Sequence, residues 1–188
     1  MTTDLEIEDI AGLDLGKLAD PSAFAWFKRK RPALVRPRVE IINDPLMGRV
    51  TDITVAPPPP EDKKKRRWRY ELKRMQRWDI GTGYDEIVQW LVKAYSRTPA
   101  RGGLAGTVLA IDYTGVGVAV VEWLRKELSA AGAKAVIRPI WIHGGAKASP
   151  NPTSGGWNVP KRELVSALQV LMGTKRLLVE QSMTNCGN

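Results

Sequence analysis

"LAIDYTGVGVAV", residues 109–120, joins an apolar run to a glycine-rich turn and then to a second apolar pattern. The run "GTVLAID" is apolar until its last residue, which is typical of a central strand covered on both faces. Asp112 ends this strand, and the residues from Gly115 onward predict a helix that Gly132 ends. A lone aspartate after a strand is usually a turn or helix-capping residue. The alternative is that Asp112 faces a ligand. The two interpretations are distinguished by other segments of the chain.

A second acid, Asp14, stands at the end of another apolar segment. "EIEDIAGLDLG" predicts a first strand that ends near Asp14, and "SAFAWFKRK" predicts a second strand in a hairpin with it. In "RRWRYELKRM" the residues Trp68, Tyr70 and Leu72 alternate with charged residues, which predicts a half-buried third strand. The three strands form a predicted antiparallel meander.

The remainder of the chain alternates predicted helices and strands. "GTGYDEIVQWLVKAYS" has helical apolar spacing, and Thr82 with Asp85 predicts a capping box. A fifth strand, "AKAVIRPIWI", a long loop over residues 143–158, a helix from Pro160 and a short last strand, "KRLLVE", follow. That last helix is predicted to bury one apolar face, formed by Leu164, Val165, Leu168, Leu171 and Met172. The order is therefore βββαβαβαβ.

The topology brings the two acids together. Because a helix precedes the fourth strand, a right-handed crossover lays this strand parallel to an earlier one. If that neighbour is the first strand, Asp14 and Asp112 lie side by side at the carboxyl ends of both. Two carboxylates repel each other unless a cation bridges them or one binds a proton. Mg²⁺ prefers carboxylate oxygens, and a pair of such ions can cleave a phosphodiester. Asp112 is therefore interpreted as a metal ligand that faces DNA, and the glycines near both acids as space for a phosphate backbone.

Composition limits the class of protein. The chain has 188 residues, 43% hydrophobic and 26% charged, which suits one soluble domain. No apolar run approaches the roughly 18 residues of a membrane span, so no membrane partner is expected. A single cysteine, Cys186, and a single histidine, His143, exclude an intramolecular disulfide and the common zinc sites.

The net charge of +9 predicts a polyanionic partner, of which nucleic acid is the commonest. The segment 63–77 has nine basic residues and one acid, and "APPPPEDKKK" precedes it, so residues of about 32–66 are predicted to be a mobile insertion. Lys161 and Arg162, near the N-terminus of the last predicted helix, either contact a phosphate or are ordinary solvated charges. The DNA-binding candidates are Lys63, Lys64, Lys65, Arg66, Arg67, Lys161 and Arg162. His143 is either a phosphate contact or a loop residue without a special role.

Four segments carry a resemblance to a known family: "GLDLGKLADPSAFAWF", "RWDIGTGYDEIV", "LAIDYTGVGVAVVEWLRK" and "GGWNVPKRELVSALQVLM". In order and spacing they resemble the nuclease domain of tailed-bacteriophage terminase large subunits, over about residues 9–178. The resemblance implies an α/β, ribonuclease H-like fold, with a central mixed sheet of the meander plus parallel strands, flanked by helices. It implies that Asp14 and Asp112 are catalytic metal ligands for Mg²⁺ or Mn²⁺, two ions when the site is complete, and adds Asp20 as a candidate ligand. Double-stranded DNA, the terminase ATPase domain, the small terminase subunit and the portal are the implied partners, in the cytoplasm of an infected or lysogenic bacterial host.

Two departures from the family bear on activity. No GxxxxGK[ST] loop is present, so we expect a single nuclease domain over residues 1–188 without an ATPase domain. The family's third acid lies in a C-terminal "HDDLV"-like segment that this sequence lacks, and the nearest late acids are Glu163 and Glu180, of which Glu163 is expected to be structural. The expected function is a metal-dependent DNA endonuclease with weak, Mn²⁺-favoured or absent activity. The alternatives are a catalytically weak or inactive DNA-binding remnant and a phosphotransferase of the sugar-kinase type, for which the chain is too short.

Overall fold

The structure is a computed structural model that describes residues 5–16, 20–32, 42–44, 48–50 and 67–179. The chain divides into two units, one of Met1–Glu6 with Lys30–Trp68 and the other of Ile7–Arg29 with Arg69–Asn188. In the first unit, Arg31 forms an ion pair with Glu6 and lies over the ring of Trp68. The second unit contains the three helices and the candidate site.

Ten strands and three helices are present in the described residues. The strands are β1 (Leu5–Asp14), β2 (Ala23–Pro32), β3 (Ile42–Asp44), β4 (Gly48–Val50), β5 (Arg69–Arg77), β6 (Val108–Asp112), β7 (Val136–His143), β8 (Ser149–Asn151), β9 (Gly156–Pro160) and β10 (Leu177–Val179). The helices are α1 (Tyr84–Tyr95), α2 (Gly117–Ala130) and α3 (Lys161–Gly173), with a 3₁₀ turn at Pro99–Arg101.

Eight strands form one mixed sheet in the order β10-β5-β2-β1-β6-β7-β9-β8, and β3 pairs with β4 separately. The neighbours β5, β2 and β1 correspond to the predicted meander. β6 lies parallel to β1, β7 parallel to β6, and β9 parallel to β7. The predicted parallel pairing of β6 with an earlier strand is confirmed, and that strand is β1.

One face of the sheet is covered by α1 and α2. The core joins strand residues to the inner faces of both helices and includes Ala11, Leu13, Phe24, Leu109, Ile111, Ile87, Val88, Leu91, Tyr95, Val120, Val121, Leu124 and Leu128. The helical spacing predicted for α1 is confirmed by its buried residues. The apolar alternation of β1 and β6 turns every second side chain into this layer.

Several local predictions were wrong. The loop predicted over residues 143–158 contains β8 and the beginning of β9, because the strand signal of "GWNVP" is short and lies among glycine, proline and serine. The predicted capping box at Thr82 is not formed: Gly83 is the N-cap of α1, and no side chain caps the helix. Within the predicted insertion of about 32–66, β3 and β4 are described, whereas its basic end lies outside the described residues.

The last helix also differs from its prediction. α3 has an apolar stripe, yet none of its residues is buried, and Leu164, Val165 and Leu168 are about half exposed. The helix packs against β9, whose partner strand is the short edge strand β8. Apolar periodicity identified the helix correctly but did not determine whether its apolar face has a partner.

Candidate active site

The ends of β1 and β6 bring two carboxylates together. The register of this pair places Leu13 opposite Ile111, and the next residue on each strand is its last, Asp14 on β1 and Asp112 on β6. Leu13 and Ile111 are buried in the layer beneath α1 and α2. Because successive side chains in a strand alternate, the two aspartates project toward the opposite face. The sequence prediction that the acids end adjacent parallel strands is confirmed, while their catalytic role stays a prediction.

The turn after β6 orients Asp112. Its Oδ1 accepts hydrogen bonds from the backbone N–H of Thr114, at 2.9 Å, and from the Thr114 hydroxyl. Among the described residues, Oδ2 has no hydrogen-bond donor. The N-cap of α2 is Val116, with no side-chain cap, so Asp112 does not cap this helix. One carboxylate oxygen of Asp112, Oδ1, therefore stabilises the turn, and the other, Oδ2, is available to a ligand.

Gly16, two residues after Asp14, lies against the backbone of Asp20. At Gly16, a Cβ would lie 2.0 Å from the backbone oxygen of Asp20, so the two backbone segments touch. The Gly16 N–H donates to Ser22 Oγ at 3.0 Å, and the Tyr84 hydroxyl donates to the Gly16 carbonyl at 2.7 Å. The residue before β2 and the first residue of α1 therefore hold Gly16 in place, and Asp20 beside it is exposed. Tyr84 was not singled out from the sequence, where its place in an apolar helix pattern predicted packing alone.

Three charges act on Asp14. Partial removal from water raises the pKa of Asp14, and the negative charges of Asp112 and Asp20 raise it further. The positive charge of Lys161, the first residue of α3, lowers the pKa of Asp14 in opposition. The structure therefore brings Asp14, Asp112, Asp20 and Lys161 into one electrostatic neighbourhood, from four separate places in the sequence.

The donor chemistry of this neighbourhood suits a hard divalent cation, because carboxylate oxygens are the ligands that Mg²⁺ and Mn²⁺ prefer. The mutual repulsion that raises the pKa of Asp14 is what a bound cation would relieve. In the described part of the chain, however, no group of three or more His, Cys, Asp or Glu side chains is arranged to hold a metal ion. The geometry thus provides a pair of acids, with Asp20 near them but outside a closed ligand group.

A cavity of about 520 Å³ lies at the start of α3. It is lined by His143, Gly144, Gly145, Lys161, Arg162, Val165 and Ser166. Lys161 and Arg162, predicted to bind DNA, are exposed, and the Arg162 guanidinium donates to the Ala146 carbonyl at 2.7 Å. The cavity belongs to the same unit as the acids, and Lys161 contributes to both.

The remaining basic and acidic residues predicted from the sequence are exposed or lie outside the described residues. Arg67 is exposed just before β5, whereas Lys63, Lys64, Lys65 and Arg66 lie outside the described residues. Glu163 is exposed in the first turn of α3. Glu180 lies outside the described residues, so its proximity to the acids is not defined.

The glycines near the two acids are required by the local backbone at some positions and leave open space at another. A Cβ at Gly117 would lie 2.1 Å from the Asp112 carbonyl oxygen, so glycine there permits the close approach of α2 to the end of β6. Gly115 has a φ of +59°, which favours glycine. At Gly12 a Cβ would meet no heavy atom within 4 Å. Gly12 therefore has open space of the kind expected beside a ligand.

No protein-family model matches the sequence, and no curated protein matches it. Among solved structures, the Mn-soaked nuclease domain of human cytomegalovirus terminase is similar to the chain, with a TM-score of 0.50 and 8% sequence identity. The chain has a terminase-nuclease-like fold. The similarity covers 94% of this chain and 63% of that structure, so the chain spans less than two thirds of its length.

The predicted fold class, α/β and ribonuclease H-like with a mixed sheet flanked by helices, is confirmed by this likeness and by the sheet topology. At 8% identity the likeness concerns the fold alone. None of the described helices is long and apolar enough to cross a membrane.

Proposed function

We propose that the chain is a metal-dependent DNA endonuclease domain that cuts phage DNA during genome packaging. The observation that carries the proposal is the parallel pairing of β1 with β6, which ends with Asp14 and Asp112 on adjacent strands. The terminase-nuclease-like fold and the net charge of +9 support it. As partners we propose double-stranded DNA and, for packaging, a terminase ATPase domain, a small terminase subunit and a portal, in the bacterial cytoplasm.

Asp14 and Asp112 are the residues that would hold a divalent ion, with Asp20 as an added donor. When bound between these acids, a divalent ion would supply polarisation of a phosphodiester and a lower pKa for a water molecule. The chain's own residues position these groups. Thr114 fixes the Asp112 carboxylate through Oδ1, and Tyr84 holds the Gly16 backbone, which lies against Asp20. Lys161 adds a positive charge beside the acids, which favours the approach of an anionic DNA strand.

A second candidate function is DNA binding without efficient cleavage. It is favoured by the absence, among the described residues, of a group of three metal-ligating side chains. Two carboxylates hold one ion, but a second ion requires further negative ligands to offset its charge and lost hydration. The two candidates share the DNA partner and differ in the rate of cutting.

A plasmid-nicking assay separates them. The wild-type chain is incubated with supercoiled plasmid in Mn²⁺, in Mg²⁺ and in EDTA, beside Asp112→Asn and the control Glu86→Gln, which changes an exposed acid on α1. Nicking in Mn²⁺ that Asp112→Asn slows by on the order of 10²-fold or more, with Glu86→Gln unchanged, supports the nuclease. Plasmid binding without nicking in either metal supports the second candidate. Nicking that persists in EDTA, or in Asp112→Asn at the wild-type rate, refutes the role proposed for the acid pair.

A further inference from the structure

His143, one of the residues that line the cavity at the start of α3, has a ring hydrogen-bond donor without a partner. The Gly145 N–H donates to Nδ1 of His143 at 2.8 Å. This acceptor role leaves Nδ1 unprotonated, so the ring proton is on Nε2. Nε2 is closed off from solvent and has no hydrogen-bond partner in the described part of the chain. An unpaired buried donor is costly, by about 1–3 kcal/mol, and calls for an explanation in each case.

The cavity that His143 lines carries positive charge. His143 lines the cavity together with Lys161 and Arg162, and among the residues that line it none is acidic. Two of its lining residues are glycines, and at Gly144 a Cβ would meet no heavy atom within 4 Å, so the wall there is open. The volume of about 520 Å³ accommodates more than a single small ion. These features together select an anion that accepts several hydrogen bonds.

The N-terminus of α3 also favours an anion in this cavity. Its N-cap is Pro160, and no side chain caps the helix, so the N–H groups of the first turn have no side-chain acceptor. The positive end of the helix dipole adds to the charges of Lys161 and Arg162. The helix terminus thus reinforces a site that the unpaired imidazole and the two cations already define.

We propose that this cavity binds a backbone phosphate of the DNA strand, next to the phosphate that faces Asp14 and Asp112. The proposal rests on the proposed function in taking DNA as the ligand. Nε2 of His143 donates to a phosphate oxygen, Lys161 neutralises its charge, and the backbone of the first turn of α3 completes the contact. Entry of the phosphate exchanges the packing over Nε2 for a hydrogen bond.

The location explains why this phosphate site would serve cutting. Lys161 lines the cavity and also acts electrostatically on Asp14, so the cavity shares this residue with the surroundings of the acid pair. A strand held by one phosphate presents its neighbouring phosphodiester at a set position, and a misplacement of about 1 Å is enough to slow a reaction by on the order of 10²-fold. His143 and Lys161 are therefore positioning residues for the substrate.

Because His143 is the chain's one histidine, a long-range ¹H–¹⁵N NMR spectrum of the full chain contains a single imidazole. The spectrum is recorded in EDTA, where cutting is not required, and a short DNA duplex or inorganic phosphate is added. We expect the Nε2 resonance to shift with the duplex at concentrations that saturate binding, and with inorganic phosphate only at far higher concentration. An Nε2 resonance unmoved by saturating duplex overturns the proposal. A shift with inorganic phosphate but none with duplex overturns the assignment to DNA.

Two variants separate the donor from the charge. His143→Asn keeps an acceptor for the Gly145 N–H in an Asx turn and removes the Nε2 donor. Its Kd for the duplex should rise roughly 2- to 10-fold with an unchanged salt slope, as for the loss of one neutral hydrogen bond. Lys161→Gln should weaken binding and reduce the slope of log K against log salt by about 1. Lys126→Gln, on the exposed side of α2, is the matched control and should leave both quantities unchanged.

Thermal unfolding of each variant checks that the fold persists. Wild-type Kd and salt slope in both His143→Asn and Lys161→Gln overturn the proposal. A shift of Nε2 with duplex combined with absent nicking supports the phosphate site and refutes the nuclease. Nicking by His143→Asn with unchanged KM and kcat supports the nuclease and overturns the phosphate site.

Discussion

Replacing Gly117 with alanine should disturb the end of β6 that carries Asp112. A Cβ at this position would lie 2.1 Å from the Asp112 carbonyl oxygen and 3.0 Å from its carbonyl carbon. Because the obstacle is backbone, α2 or β6 has to move by about 1 Å to reach ordinary contact distance. Overpacking of this kind costs about 1–3 kcal/mol. For a domain of this size, each kcal/mol corresponds to a change in Tm of about 2–4 °C, so we expect a loss of about 2–12 °C.

Gly12→Ala is the matched control, because this glycine is on β1 near Asp14 and a Cβ there would meet no heavy atom within 4 Å. Alanine is favoured over glycine in a strand interior by about 0.5–1 kcal/mol, so Gly12→Ala should leave Tm unchanged or raise it. Tm is measured by circular dichroism in EDTA, and nicking in Mn²⁺ is measured for both variants. Gly117→Ala should also nick on the order of 10²-fold more slowly, because the acid moves by about 1 Å.

The reasoning fails if Gly117→Ala unfolds at the wild-type temperature, since the carbonyl of Asp112 would then not be in contact with the first turn of α2. It also fails if both variants lose stability equally. Unchanged Tm but slower nicking in Gly12→Ala supports the interpretation that the open space beside Gly12 admits the DNA backbone.

Four further predictions concern the site and the core. Mn²⁺ at about 100 times its Kd should stabilise the wild type by about 2.7 kcal/mol, and differential scanning fluorimetry should show no such rise in Tm for Asp112→Asn; an equal rise in both would contradict the site. In EDTA, Asp14→Asn should stabilise the fold at pH 7 by no more than about 1 kcal/mol. The pKa of Asp14 is raised in the folded state, so ionisation of this carboxyl costs stability at a pH above its pKa, and the gain from Asp14→Asn should vanish below pH 3.8. A gain that persists in acid would show that ionisation of Asp14 is not its cause. Tyr84→Phe removes the hydrogen bond to the Gly16 carbonyl and should cost about 0.5–1.5 kcal/mol in urea unfolding, whereas no change would show that Gly16 is held otherwise. Tyr95→Phe should leave stability unchanged or raise it by up to about 1–3 kcal/mol in the same assay. The reason is that the buried Tyr95 hydroxyl has no hydrogen-bond partner among the described residues, and burial raises its pKa. A clear loss of stability would reveal a partner for this hydroxyl.

Local patterns in the sequence were sufficient for the central part of the fold. Apolar runs that end in a single acid identified β1 and β6, and helical spacing identified α1 and α2. The rule for crossovers then predicted that β6 lies parallel to an earlier strand, and Asp14 was expected beside Asp112 on the condition that this strand is β1, which the structure confirms. These inferences succeeded because each depends on the periodicity of a buried face, which nearby residues encode directly.

Contacts between distant segments were decided by the tertiary structure alone. The hydrogen bond from Tyr84 to Gly16, the proximity of Lys161 to Asp14 and the unpaired Nε2 of His143 each join residues whose spacing in the sequence carries no signal of contact. The exposed face of α3 is a further case, because its apolar periodicity is the same whether or not a partner covers it. The sequence alone determined which residues form the central strands, and so which two acids end them. The fold decided what surrounds those acids, because burial, charge and hydrogen bonding at a site depend on every segment packed around it.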